Sequence, residues 1–372
     1  MLFPLLFSGS PVTLGRAIRC SLFTAGGFLL GGCVERDAAA EAHANRADSA
    51  VAAAVPITAL PHDSAADSST ALIAAGAGGR AGRRGKRAKG AKPIEAVHPA
   101  AVHRTWPPPP LPLAEALLPT HRIVAFYGNP LTTRLGILGR IPPTRMLDSL
   151  TRVAALWQAA DSSVTVRPAL HMIVTVAQGL PGKDAKHRLR TGDSTIAQVA
   201  RWAEARGWLL FLDIQVGNST VADELPHLLP FLRRPYVHLA LDPEFAMHGH
   251  GKPGRRIGTM DATEINHAVR TLAQLVTDSG LPPKVLVVHR FTNKMLTNAG
   301  AIERDPRVQV VIDMDGFGPP SLKRATWRHV VLSEPVQYTG WKLFLDPRLD
   351  QPMMRPDQVI AMWPAPLYIQ YQ

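Results

Sequence analysis

The chain predicts a (β/α)8 barrel of parallel strands, an α/β TIM barrel, preceded by a signal peptide and a long disordered linker. Three observations carry the prediction. From residue 121 onward, apolar strand-like runs alternate with helix-like patterns, the rhythm of a barrel with an outer ring of helices. The runs are apolar almost throughout, as strands buried on both faces are. Each run turns polar only at its C-terminal end, the rim where such barrels build their sites.

The elements follow in order. Strand one spans 122–127 and is followed by a helix over 144–160. Strand two spans 169–176, with a helix over 194–206 stopped at Gly207. Strand three spans 208–215, with a helix over 221–232. Strand four spans 236–245 and leads into a Gly- and His-containing loop, 248–258. Asp261 and Glu264 have the spacing of a capping box, opening a helix that runs to about 278 and ends at Gly280. Strand five spans 284–291, with a shorter helix over 293–304. Strand six spans 308–316, with a helix over 321–331. Strand seven lies near 340–345, a last helix starts at Pro356, and strand eight spans 367–371. An open doubly wound sheet is the alternative architecture. No G-x-G-x-x-G follows the first strand, so a dinucleotide site is not expected.

The chain has 372 residues, 46% hydrophobic and 19% charged, room for one large domain plus non-globular sequence. Its net charge of +12 is largely local: seven basic residues and no acidic one lie between Arg80 and Lys92. Arg16 and Arg19 precede a short apolar run that ends in Leu30-Gly31-Gly32-Cys33. A positive start, a run too short to span a bilayer and small residues before a cut make a secretory signal. Leu-Gly-Gly-Cys resembles the lipobox of bacterial lipoproteins. The resemblance implies removal of residues 1–32, lipidation of Cys33 with palmitate among its acyl chains, and a membrane anchor. Val34 after the cysteine favours, by the same analogy, the outer membrane facing the periplasm.

Residues 33–112 are rich in Ala, Gly, Ser, Asp and Pro, hold no aromatic residue before Trp106, and end in the run 107–110 of four prolines. Such a segment buries too little apolar surface to offset its chain entropy and reads as a tether. Its basic run suits an anionic envelope surface, and nucleic acid is not the expected partner. Residues 113–372 form the globular domain, which contains no cysteine, so neither a disulfide nor a Cys-bound metal is expected there.

Strand parity gathers polar side chains at one rim. Asp213 and Gln215 end strand three, Asp242 and Glu244 end strand four, and Asp313 and Asp315 end strand six. Tyr127, His289 and Gln370 join them from strands one, five and eight. Paired carboxylates suit glycosidic cleavage, in which one protonates the leaving oxygen and another serves as nucleophile or base. A like-charge neighbour such as Asp242 raises the pKa of Glu244, as a general acid requires. Tyr127, Gln215 and Gln370, with Tyr338 and Trp341, suit sugar hydroxyls and faces. Trp341 and Trp363 fit the rim or the core equally. His171 and His238 point inward from mid-strand and read as core histidines, and Arg290 faces outward by parity.

Asp-x-Glu at the end of strand four resembles the signature of chitinase-type and lysozyme-type barrel glycoside hydrolases, and the chain ending resembles the Trp-Gln-Tyr ending of the latter. The resemblance implies that Glu244 is the acid. This chain departs from the lysozyme-type pattern at Tyr127, where that family has an Asp, and lacks the longer Asp-rich chitinase motif. The expected activity is hydrolysis of an extracytoplasmic polysaccharide, with no cofactor and no metal. A metal-dependent hydrolase or phosphodiesterase drawing on His248, His250, His289 and the rim carboxylates is the first alternative. A non-catalytic glycan- or partner-binding lipoprotein is the second.

Overall fold

A computed structural model describes residues 106–372. The lipobox, Cys33 and the basic run lie outside the described residues. Eight parallel strands form a closed barrel: β1 (His121–Gly128), β2 (Thr165–Ala177), β3 (Leu209–Ile214), β4 (Val237–Leu241), β5 (Lys284–Arg290), β6 (Val308–Met314), β7 (Tyr338–Leu343) and β8 (Tyr368–Tyr371). Each pairs with the next in chain order, and β8 pairs with β1 to close the ring. A short strand, Arg188–Arg190, adds antiparallel to the end of β2.

The pleat sorts the core into two shells. Inside the barrel, Ile123, Ala125, Phe211, Val287, Val311 and Tyr368 fill the N-terminal half. Leu118 closes that end, its backbone carbonyl and N–H both bonded to the Gln309 side chain. The opposite faces of the same strands, including Leu210, Leu212, Leu239, Leu286 and Val310, pack against the helices. The inward and outward sets are those that strand parity predicts.

The helices are α1 (Ile137–Arg140), α2 (Pro143–Ala160), α3 (Asp193–Glu204), α4 (Val221–Glu224), α5 (Leu229–Leu232), α6 (Ala262–Ser279), α7 (Pro320–Thr326) and α8 (Pro356–Ile360). The capping box at Asp261 and Glu264 forms at the start of α6, and Gly280 ends that helix in the left-handed region at φ 59°. Proline opens α2, α7 and α8 within the first two positions, where its missing N–H costs nothing.

Several expected elements differ. The helix expected over 221–232 is broken into α4, a 3-10 turn at Leu225–Leu228 and α5; Pro226 and Pro230 each remove a donor that a continuous helix would use. The helix expected over 293–304 is two 3-10 turns, Asn293–Met295 and Ala299–Ala301, joined through Asn298 at φ 57°. The helix after β6 continues past α7 as a π turn, Trp327–Val331. Strand four ends at Leu241 rather than at residue 245, and strand seven starts two residues earlier than expected. Trp341 and Tyr338 do not line the rim. Trp341 faces outward and is fully buried against Trp327, whereas Tyr338 sits inside near the closed end, its hydroxyl donating to the Leu118 carbonyl at 3.4 Å. Trp363 precedes β8 and meets Trp106 edge-on at 6.5 Å, on the side opposite the rim.

Candidate active site

The C-terminal half of the barrel interior is polar, and Tyr127, Asp213, Gln215, Asp242, Glu244, His289, Asp313, Asp315 and Gln370 are there. Tyr127, Asp213, His289, Asp313 and Gln370 have no solvent exposure. Gln215, Asp242, Glu244 and Asp315 retain 2%, 2%, 5% and 6%, so the opening lies above β4 and β6.

Glu244 arrives by a route that strand parity does not describe. Pro243 has no N–H and cannot extend the ladder. The chain turns instead into a 3-10 segment, Pro243–Phe245, capped by Asp242, whose Oδ1 accepts from the Glu244 backbone N–H at 3.1 Å. Asp242 is thus both a cap and a rim carboxylate. Its Oδ2 accepts from Gln215 Nε2 at 3.3 Å, and the same amide donates to the Tyr127 hydroxyl at 3.3 Å. The Gln215 carbonyl is held by the Ala177 N–H.

Across the barrel, His289 Nδ1 meets Asp315 Oδ2 at 3.0 Å and lies 3.6 Å from Asp313 Oδ2. Lys342 Nζ donates to Asp315 Oδ2 at 3.2 Å and stands 4.4 Å from the Tyr127 ring centroid. Gly340, one inward position earlier on β7, makes room for Asp313. A Cβ there would come within 2.5 Å of Asp313 Oδ1. Behind this row, the buried Lys323 of α7 donates to Asp350 Oδ2 at 2.6 Å and to the backbone carbonyl of Lys342 at 2.7 Å. It fixes where β7 ends.

His171 sits deepest. Its Nδ1 is 2.5 Å from the Tyr368 hydroxyl and 3.0 Å from Gln370 Nε2, and its Nε2 is 3.4 Å from Asp213 Oδ2. The reading of His171 as a core histidine is therefore incomplete, since it touches the rim residues directly. His238 is a core histidine, accepting the Val285 N–H at Nδ1. His248 and His250 lie exposed in the loop after β4, apart from the rim carboxylates, and His248 Nε2 meets the Thr259 carbonyl. Arg290 faces outward but is buried, bonded to backbone carbonyls and to Glu334.

The field inside this cluster divides the acids. Burial, reinforced by Asp242 and Asp315, pushes the Glu244 carboxyl well above the ordinary range. Burial and the neighbouring acids, against the pull of His289, push Asp242 up to about 7. Burial likewise moves Asp313 up to about 7. Asp315 goes the other way: burial opposes its charge, but Lys342 and His289 outweigh burial and hold it well below. Asp213 is held below its ordinary value by His171 and His289 against the same cost. Lys342 is raised, since Asp315, Asp242 and Asp313 outweigh its desolvation. The cluster thus brings carboxyls pushed up, carboxyls held down and a buried lysine together in one interior layer. This is the division of labour that acid and base catalysis requires.

Sequence reasoning missed Lys342 and Tyr368 as members of the site. Counting in twos from Tyr338 would have placed Lys342 inward, beside Gly340. No protein-family model and no curated protein sequence matches this chain.

Proposed function

We propose that the barrel is a glycoside hydrolase acting on an extracytoplasmic polysaccharide, with Glu244 as its general acid. The observation that supports it best is the placing of Glu244, whose carboxyl burial, Asp242 and Asp315 push well above the ordinary range, near Asp315, which is held below it, at the open end of a parallel barrel. Glu244 gives its proton to the leaving glycosidic oxygen. Asp242, which titrates near neutrality and is oriented by Gln215, is the partner that takes a proton from water or attacks the sugar carbon. Asp315 stays ionised and stabilises the positive charge that develops on the sugar ring. Tyr127, Gln215 and Gln370 supply hydroxyl and amide groups for substrate hydroxyls.

The amino-terminal sequence supports an address for this chemistry. A lipid on Cys33 anchors the protein to the membrane outside the cytoplasm, and residues 33–112 give the barrel reach. The basic run from Arg80 to Lys92 holds the tether against an anionic envelope surface. The direct test is incubation of the purified protein with peptidoglycan and other envelope polysaccharides, scoring new reducing ends. Release from one class of glycan supports the reading, and no product from any glycan refutes it.

A further inference from the structure

We propose that His171, Asp213 and His289 form a binding site for one divalent first-row transition-metal cation, set deeper in the barrel than Asp242, Glu244 and Asp315. Each contributes one ligand atom, and these atoms lie within 4.8 Å of one another. His171 Nε2 and His289 Nε2 stand 3.4 and 3.6 Å from Asp213 Oδ2. Ligand atoms about 2.0–2.1 Å from a tetrahedral cation are about 3.3 Å apart, so both measured edges are near what a cation needs.

A second observation points the same way. All three side chains are completely buried, and His171 Nε2, His289 Nε2 and both Asp213 carboxylate oxygens make no hydrogen bond among the described residues. Buried polar atoms are nearly always partnered, because an unpartnered one costs about 1–3 kcal/mol. Here atoms of three residues from β2, β3 and β5 that lack a hydrogen bond converge on one point, facing one another at 3.4 and 3.6 Å.

The outer contacts fit ligation as well. A metal-bound histidine donates its other ring N–H to an acceptor that fixes tautomer and ring orientation. His289 presents Nδ1 to Asp315 Oδ2 at 3.0 Å, leaving Nε2 for the cation. His171 presents Nδ1 to the Tyr368 hydroxyl, an oxygen able to accept. The amide of Gln370 also faces that nitrogen, and its Oε1 has no hydrogen-bond partner among the described residues. Two imidazoles and one carboxylate suit zinc, cobalt, iron or manganese rather than calcium or magnesium. The site contains neither His248 nor His250, so it differs from the metal set that the sequence offered.

The test reads metal, not turnover. The full chain, carrying Cys20→Ser and Cys33→Ser to remove thiolate ligands, is stripped with chelator and titrated with Co2+. One equivalent per chain with a d–d absorption band is expected. Asp213→Asn and His171→Gln should each weaken Co2+ binding by at least about tenfold, while His250→Ala in the exposed loop leaves it unchanged. Less than a fifth of an equivalent bound, or equal binding by the two site variants, overturns the proposal. Should a variant fail to fold, anomalous scattering from Co2+-soaked crystals of the parent protein decides. A peak between the three side chains supports the site, and bound cobalt found only elsewhere overturns it. A chain that binds cobalt here but cleaves no glycan overturns the glycosidase reading alone. A chain that cleaves glycan and binds no cation overturns the metal site alone.

Discussion

Lys342 carries a buried positive charge among carboxylates, and its removal should be costly in a specific way. Its Nζ is 3.2 Å from Asp315 Oδ2, and the two side chains are 3% and 5% exposed. Lys342→Met keeps most of the side-chain volume, so packing is nearly conserved and the charge is what is lost. Breaking a buried ion pair by removing one partner costs about 3–5 kcal/mol. Asp315 keeps its contact to His289, which places the cost near the lower figure, about 3 kcal/mol. For a domain of this size, each kcal/mol moves the midpoint by about 2–4 °C, so Tm should fall by roughly 6–12 °C at pH 7.5. The pH dependence adds a second signature. Asp315 is ionised in the native protein below its unfolded value, so its stabilising effect is present above about pH 4 and lost as pH falls. Without Lys342 the native carboxyl titrates higher, and the variant's deficit should narrow as pH is lowered toward 5. Thermal melts of parent and variant by circular dichroism at pH 7.5 and pH 5 measure both effects. The double variant Lys342→Met/Asp315→Asn should recover most of the loss, because the two changes act on one pair. A deficit below about 1 kcal/mol, or one that widens in acid, would show that Lys342 is not the counter-ion of this cluster.

Other expectations rest on single contacts. Asp242 titrates near 7 in the native protein and near 4 when unfolded, so its burial lowers stability increasingly as pH rises through that window. Asp242→Asn should therefore raise Tm by a few degrees at pH 8 and leave it unchanged at pH 4, while abolishing turnover; a pH-independent difference would contradict the assignment. Gly340→Ala should push Asp313 out of place by steric contact at 2.5 Å and cut turnover without unfolding the barrel. Parent-like kinetics in that variant would mean that Asp313 position does not matter. Glu224, buried beneath Arg188 and Arg190 and accepting from Ser219, pins the antiparallel strand over α4. Glu224→Ala leaves two arginines without their carboxylate and should cost about 3 kcal/mol in urea denaturation; a loss within experimental error would argue that the contact is not structural.

Much of the barrel was legible because its strands alternate, the register shift between Ile173 and Thr175 in β2 apart. The inner position of Asp213, His289, Asp313 and Gln370 followed from a period of two, and the same period put Leu210, Leu286 and Val310 outside. Glu244 lies at the rim, but beyond a strand that ends three residues earlier. Its position depends on Pro243 and on the Asp242 cap, which parity does not describe. Lys342 was missed because β7 contains Thr339, Gly340 and Lys342 and so lacks an apolar run to announce it. His171 was read as core because its neighbours on β2 are apolar, and only closure of the ring brings it against Asp213 and Tyr368. The segment after β5 lost its helix to Asn298 and Gly300, both poor helix formers.

Acid catalysis by this barrel turns on the Glu244 carboxyl, which burial and the neighbouring acids push well above the ordinary range. Glu244→Gln keeps the size of the side chain and removes its transferable proton. Reducing-end release and glycan binding, measured side by side on parent and variant, test that proton. Turnover should fall by about 10²–10⁴ while binding of the same glycan is retained. Equal turnover by the two proteins would contradict it.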